Sequence, residues 1–386
     1  MEKTQLPRPL HPALLWSWRL GRLPREWTFL FIVLAALALA MATGKLLPAV
    51  LWLTFWSLAD WLLLEALPRL GISYGTVQPT HLVLLVLRWL LAALGTAASG
   101  RWPWVAVPAW ALQALLWGLA VYTLAIEPSR LGVTELTLVD GQAAPGARPL
   151  SILQIGDLHI ERLTRREWRI LQAVDRLQPD LILLTGDYLN LSYIHDPVAL
   201  AALRQFLRQL RARQGIYAVR GTPQVDPPWI MPREFGGLPI TVLEGARREL
   251  EIDGHRLCLV GVGCNSDLTR DGAALRAALA GAADDRYTIL LYHMPDLMEA
   301  ASAAGVNLYL AGHTHGGQLR LPFYGALVTA SQLGKRYEMG AYRLGRTCLY
   351  VARGVGLEGM GAPRGRFLCP PEIVHIRLES QARSGP

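Results

Sequence analysis

Two histidines stand one residue apart in Leu310-Ala311-Gly312-His313-Thr314-His315-Gly316-Gly317-Gln318, directly after the apolar run Val306-Asn307-Leu308-Tyr309-Leu310. The run reads as a buried strand, and in extended backbone residues i and i+2 point the same way. Glycines around the pair let the backbone turn sharply or approach a ligand closely. A single His-x-His carries little weight, but three other runs end in the same chemistry. Ile152-Leu153-Gln154-Ile155 leads into Gly156-Asp157-Leu158-His159. Leu181-Ile182-Leu183-Leu184 leads through Thr185-Gly186 to Asp187, and Thr288-Ile289-Leu290-Leu291-Tyr292 ends at His293. In open α/β sheets, active sites form outside the carboxyl ends of the strands. Asp157, His159, Asp187, His293, His313 and His315 are therefore candidate ligands of one centre. A catalytic zinc-like ion usually takes three protein ligands and keeps a position open. Two ions sharing a carboxylate suit six ligands better, and mixed His/Asp ligation suits Mn, Fe, Zn or Co rather than Ca.

The elements that must position these residues occupy the second part of an unevenly built chain. Of 386 residues, 52% are hydrophobic and only 18% charged. Eleven of the 13 tryptophans precede residue 118, and the first 130 residues hold only 15 charged side chains, which marks a separate region. Residues 27–43, 46–67, 82–99 and 102–126 are apolar apart from Asp60, Glu65 and Arg88. Each is close to the roughly 20 residues that span a bilayer. About four transmembrane helices are expected over residues 1–130; residues 10–18 could lie in the interface and change the count. Lys3, Arg8, Arg19, Arg22, Arg25, Arg69 and Arg130 fall on one side of such a topology, against Lys45 and Arg101 on the other. By the positive-inside rule, the tail and the large C-terminal domain are expected to be cytoplasmic, on an inner cell membrane. Asp60 and Arg88 are expected at similar depth in an antiparallel helix pair, as an ion pair that stabilises it.

Residues 131–386 read as one domain. Val133-Thr134-Glu135-Leu136-Thr137-Leu138-Val139 is an expected edge strand. Trp168, Leu171, Val174 and Leu177 recur at helical spacing, as do Leu203, Phe206, Leu207 and Leu210. Strand–helix alternation argues an α/β class. Cys258, Cys264, Cys348 and Cys369 lack metal spacing and are expected as buried free thiols. His255, after the turn Asp253-Gly254, is expected to be solvated, and His195 to be an exposed loop residue. The net charge of +8 is dispersed without a nucleic-acid motif, so no nucleic-acid partner is expected.

The ordered set Gly-Asp-x-His, Gly-Asp, strand-end His and Gly-His-x-His resembles the calcineurin-like metallophosphoesterase superfamily. Tyr350-Val351-Ala352-Arg353-Gly354-Val355-Gly356 and Pro370-Pro371-Glu372-Ile373 resemble the C-terminal segment of its membrane-anchored bacterial branch. The resemblance implies a four-layer α-β-β-α sandwich. It implies two divalent metal ions, one held by Asp157, His159, Asp187 and His315, which are the catalytic set. The second would be held by Asp187, His293, His313 and an Asn from a Gly-Asn-His-Asp block. Here that block reads Gly221-Thr222-Pro223-Gln224, so the amide ligand and the proton-donating histidine are both replaced. Gln224 or Asp226 could fill the gap. The implied chemistry is metal-assisted hydrolysis of a phosphodiester or diphosphate on a lipid-linked or membrane-proximal substrate. Arg353 and Arg364 or Arg366 (Arg366 foremost) are candidates for pairing with phosphate. The alternative is an impaired, membrane-tethered protein that binds a phospho-ligand or acts as a scaffold.

Overall fold

A computed structural model describes residues 23–24, 26–99, 102–357 and 364–381. Lys3, Arg8, Arg19, Arg22, Arg25 and Arg101, and residues 10–18, lie outside the described residues. The chain forms two compact units: Met1–Pro128 with Gly359–Arg366, and Ser129–Glu358 with Phe367–Pro386.

The first unit is helical. Its elements are α1 (Glu26–Thr43), α2 (Leu46–Arg69), α3 (Val77–Ser99) and α4 (Ala106–Val121). The last of these continues through a π turn and a 3-10 turn to Ser129. Four helices are thus long and apolar enough to cross a bilayer: Glu26–Thr43, Leu46–Arg69, Val77–Ser99 and Val107–Ser129. Each buries a stripe rather than its whole surface. Along α2, Ala49, Leu53, Trp56, Asp60, Leu64 and Leu67 face inward at spacings of three and four, the seam expected of packed helices. Phe29, Leu34, Leu51, Phe55, Val86 and Leu90 point outward, as lipid-facing positions do. Arg88 on α3 forms a two-pronged pair with Asp60 on α2, both contacts at 2.8 Å. A third helix joins them, because Arg88 Nη1 donates to the Gln113 carbonyl (2.7 Å) and to Gln113 Oε1 (2.9 Å). All three residues are fully buried.

The second unit stacks two six-stranded sheets between helices. The first sheet contains, in spatial order, β1 (Gly132–Asp140), β14 (Glu372–Ser380), β2 (Leu150–Ile155), β3 (Leu181–Leu184), β4 (Ile216–Ala218) and β5 (Thr241–Val242). The second contains β12 (Gly340–Leu344), β13 (Thr347–Val351), β9 (Leu308–Ala311), β8 (Tyr287–Leu291), β7 (His255–Gly261) and β6 (Ala246–Ile252). Strand periodicity explains the layering, since successive side chains face opposite ways. Ile152, Leu181 and Leu183 meet Leu259, Ile289 and Leu310 in the core between the sheets. Their neighbours Leu153, Ile182 and Leu184 pack under α5 (Arg165–Leu177) and α6 (Pro197–Leu207), against Val174, Leu203 and Phe206. Leu290, Tyr309 and Val351 pack under the helix Leu268–Leu279 and its neighbours. Three apolar layers between four structural layers make the α-β-β-α sandwich. The segment Gly132–Asp140 is the expected edge strand, and all four cysteines are buried free thiols.

The helix expected through Trp168, Leu171, Val174 and Leu177 is α5; its buried face runs through Glu167, Ile170, Leu171 and Val174, and Trp168 is 48% exposed. One expectation is corrected. His255 is buried, not solvated: its Nδ1 lies 2.9 Å from Asp140 Oδ2 and its Nε2 3.0 Å from the Arg148 carbonyl oxygen.

Candidate metal centre

The central parallel strands bring the six candidate ligands to one end of the sandwich, two strands from each sheet. Asp157 and His159 follow β2, Asp187 follows β3, His293 follows β8, and His313 and His315 follow β9. They form two groups: Asp157, His159 and His315, all buried, and Asp187, His293 and His313. In the first, His159 Nε2 and His315 Nε2 lie 3.0 Å apart, and His315 Nε2 is 3.4 Å from Asp157 Oδ1. In the second, His293 Nε2 lies 3.2 Å from Asp187 Oδ2. The same Oδ2 is 3.7 Å from His159 Nε2, so Asp187 reaches towards both groups.

Local backbone explains how short turns aim so many side chains inward. Asp157, His159, Asp187, His313 and His315 all have φ between 42° and 70°. This left-handed region costs a residue with a Cβ about 1–2 kcal/mol, a cost that surrounding structure must hold in place. Two glycines make room. A Cβ on Gly312 would lie 2.2 Å from Asp157 Oδ2, and one on Gly221 would lie 2.2 Å from Asp187 Oδ1. His293 is oriented from behind, with its Nδ1 2.7 Å from the Thr185 carbonyl oxygen. That leaves Nε2 facing the centre, the arrangement that fixes a metal-binding tautomer.

Burial pushes the Asp157 carboxyl up to about 6, with His293 pulling against that and the Asp187 charge adding to it. Burial also pushes Asp187 upward, but the facing His293 outweighs it and holds that carboxyl well below the usual range. In return, although burial pulls His293 down, Asp187 raises it to about 10. Burial and the His293 charge lower His313. Two further features fit a resident cation. Asp157 Oδ2 is buried without a hydrogen-bond partner, and two imidazole nitrogens face each other at 3.0 Å. A divalent ion satisfies both, and the His/Asp donor set suits Mn, Fe, Zn or Co.

The altered block lies directly on the second group. Thr222 N–H donates to Asp187 Oδ1 at 2.7 Å. Its hydroxyl lies 3.1 Å from Asp187 Oδ2, 3.2 Å from His293 Nε2 and 3.3 Å from His313 Nδ1. The Thr222 oxygen therefore faces the space where the expected amide would point. Asp226 does not fill that gap. Its carboxylate turns away, accepting the backbone N–H groups of Asp187 (2.7 Å), Gly221 (2.9 Å) and Tyr188 (3.1 Å). It is a fixture of the turn rather than a ligand, and its spacing alone gave no sign of this. Arg353 donates to Glu372 from both its backbone N–H and its guanidinium. Arg366 belongs to the helical unit, where it is buried and its backbone N–H donates to the Thr123 carbonyl. His195 is exposed and stacks on Trp229 with ring centroids 5.4 Å apart.

A family model described as calcineurin-like phosphoesterase matches residues 150–317. The chain is 30% identical to the uncharacterized metallophosphoesterase YkuE of Bacillus subtilis, over 67% of this chain and 89% of that protein. It is also 30% identical to the phosphodiesterase YaeI of Escherichia coli, over 60% of this chain and 83% of that one. Among solved structures, TT1561 of Thermus thermophilus aligns with 14% identity and a TM-score of 0.39, over 57% of this chain and 98% of that chain.

Proposed function

The chain belongs to the calcineurin-like metallophosphoesterases, and from that premise we propose that it hydrolyses a phosphodiester or diphosphate bond at a two-metal centre. The observation that supports this most directly is the position of Asp187 Oδ2, 3.2 Å from His293 in one ligand group and 3.7 Å from His159 in the other. Asp157, His159, Asp187 and His315 would hold the first ion, and Asp187, His293, His313 and the Thr222 oxygen the second. Bound there, divalent ions supply positive charge to the phosphoryl oxygens and lower the pKa of an attacking water.

The chain's own residues set the remaining features. Thr222 N–H and the Asp226-braced turn hold Asp187 at the junction, and Thr185 fixes His293. Position 223 is proline, which has neither a side-chain proton nor an N–H to give. Hydrolysis at this centre therefore favours substrates whose leaving group needs little protonation, a diphosphate or an aryl ester before an alkyl monoester. Arg353 is the candidate for pairing with substrate phosphate, sharing its guanidinium with Glu372, whereas Arg366 is buried in the helical unit. Four bilayer-length helices favour a lipid-linked or membrane-proximal substrate, and the excess of basic residues on one side of them favours a cytoplasmic catalytic domain.

The test uses the purified full chain, with metal quantification and Mn-dependent hydrolysis of bis(p-nitrophenyl) phosphate and a nucleoside-diphosphate lipid. Hydrolysis that disappears in Asp187→Ala and His315→Ala is expected. Absence of bound metal, with wild type and Asp187→Ala alike, would overturn the hydrolase reading in favour of a membrane-tethered scaffold or phospho-ligand-binding protein, for which direct phosphate binding is then measured.

A further inference from the structure

The loop that carries His313 and His315 continues into a small hairpin, β10 (Arg320–Leu321) and β11 (Gly325–Ala326), with Pro322-Phe323-Tyr324 at its turn. The root of the hairpin is packed on the ligand loop. A Cβ on Gly317 would lie 2.4 Å from the Ala326 Cβ and 2.8 Å from the Val328 carbonyl oxygen. His313 Nε2 lies 3.3 Å from the Ala330 carbonyl oxygen. The outer part of the hairpin is apolar and uncovered: Leu321, Phe323, Tyr324, Leu327 and Val328 are each between 46% and 111% exposed, Phe323 the most. The other large apolar residues exposed on the α/β unit, such as Val139, Val198 and Leu344, are scattered along the chain rather than clustered in one segment. A contiguous apolar patch of this kind marks an interaction surface.

We propose that this hairpin dips into the interface of a lipid bilayer and thereby presents the metal centre to phosphate groups at the lipid surface. The claim about substrate rests on the membrane-borne reading above, whereas the claim about lipid contact rests on the hairpin itself. A protein with four bilayer-length helices always has acyl chains within reach of its polypeptide, so lipid is the apolar medium at hand. Charge agrees with this. Residues 319–344 contain Arg320, Lys335, Arg336 and Arg343 against Glu338 alone, four minus one, or net +3. Arg320 and Lys335 share Glu338 at 2.9 and 3.2 Å, and Arg336 pairs with Glu299 at 2.7 Å. Counting Glu299 and also Asp296, which accepts from Ser331 Oγ and the Leu333 N–H, four minus three still leaves +1. A segment with a net positive charge and an apolar tip complements anionic headgroups over acyl chains, whereas two copies meeting through it would bring like charges together. Tyr324, with the Lys335 ammonium 3.6 Å from its ring centre, has the amphipathic character of side chains at the headgroup level.

The experiment places the full chain in phosphatidylcholine–phosphatidylglycerol vesicles. Phe323→Cys carries an environment-sensitive fluorophore, and Val198→Cys, exposed elsewhere on the same unit, carries it as a control. The expected result is blue-shifted emission at position 323, quenched by lipids spin-labelled on the acyl chain, with iodide quenching at least fivefold weaker than at position 198. Iodide quenching equal to that at 198 overturns the proposal. So does efficient short-range cross-linking between two copies of Phe323→Cys, which would make the hairpin a self-association surface. In Leu321→Ser/Phe323→Ser, the rate on a vesicle-borne diphosphate relative to soluble bis(p-nitrophenyl) phosphate is expected to fall at least fivefold. An unchanged ratio overturns the presenting role. If wild type cleaves neither compound, the hydrolase reading fails, and the fluorescence result alone decides lipid contact.

Discussion

Asp157 and Thr222 show how single side chains set the conditions under which this centre can load. A metal ion needs Asp157 as a carboxylate, but burial holds its proton until about pH 6. The ionised fraction at pH 5 is roughly a tenth of that at pH 7, so Asp157 alone is expected to weaken Mn affinity of the first group about tenfold over that interval, and proton competition at His159 and His315 adds to this. Equilibrium dialysis at the two pH values measures it. The same raised value has a stability consequence of opposite sign in metal-free protein. Asp157 contributes stability that is fully present below the ordinary carboxylate pKa and is lost as pH rises through about 6. Thermal unfolding in chelator should therefore show a falling contribution from Asp157 between about pH 4 and pH 7, absent from Asp157→Asn. At the second group, Thr222→Val removes an oxygen without changing side-chain shape and is expected to reduce metal occupancy, while Thr222→Asn raises it; metal titration decides both. Sequence pattern singled out all six residues that the fold brings together in two groups, because Asp and His at strand ends are chemically conspicuous. It missed the position of the Thr222 hydroxyl, because a threonine carries no such mark and only the packed turn brings its oxygen to within 3.3 Å of three ligands.

Strand ends aim these residues only if the turns after them are held, and the turn after β4 holds the one after β3. Asp226 makes that link through three backbone N–H groups. Asp226→Asn keeps the shape but offers one acceptor oxygen and places an amide donor against backbone donors. It is expected to destabilise the fold by about 1–3 kcal/mol and to weaken the second metal group more than the first, readable by thermal unfolding and metal titration together. Element identity was legible wherever periodicity was strong: the four apolar spans, the buried strands and the helix through Leu203, Phe206 and Leu207 all stand where the pattern puts them. The role of Asp226 was not legible, since backbone donors have no sequence signature.

At the scale of the molecule, the helical unit is held by a charge network that the sequence showed only in part. Asp60 and Arg88 were recognisable as charges in apolar spans, but Gln113 sits in a span without charge, and its single amide was the one sign of a third participant. Asp60→Leu or Arg88→Leu alone should destabilise the unit by on the order of 3–5 kcal/mol, because each leaves a buried charge unpaired. The double replacement should recover most of this, and adding Gln113→Leu should recover more, measured as thermal stability in detergent. The α/β unit is closed differently. Its strand β14, residues 372–380, lies between β1 and β2, whose residues were synthesised more than 200 positions earlier. While the ribosome is still translating the intervening chain, β1 has no partner on that side and β2 exposes an edge. Until residues 372–380 are made, only β2, β3, β4 and β5 of the first sheet can pair, and β1 stands apart. The metal ligands are already translated, but the scaffold that aims them is incomplete until β14 emerges and docks between the two waiting strands.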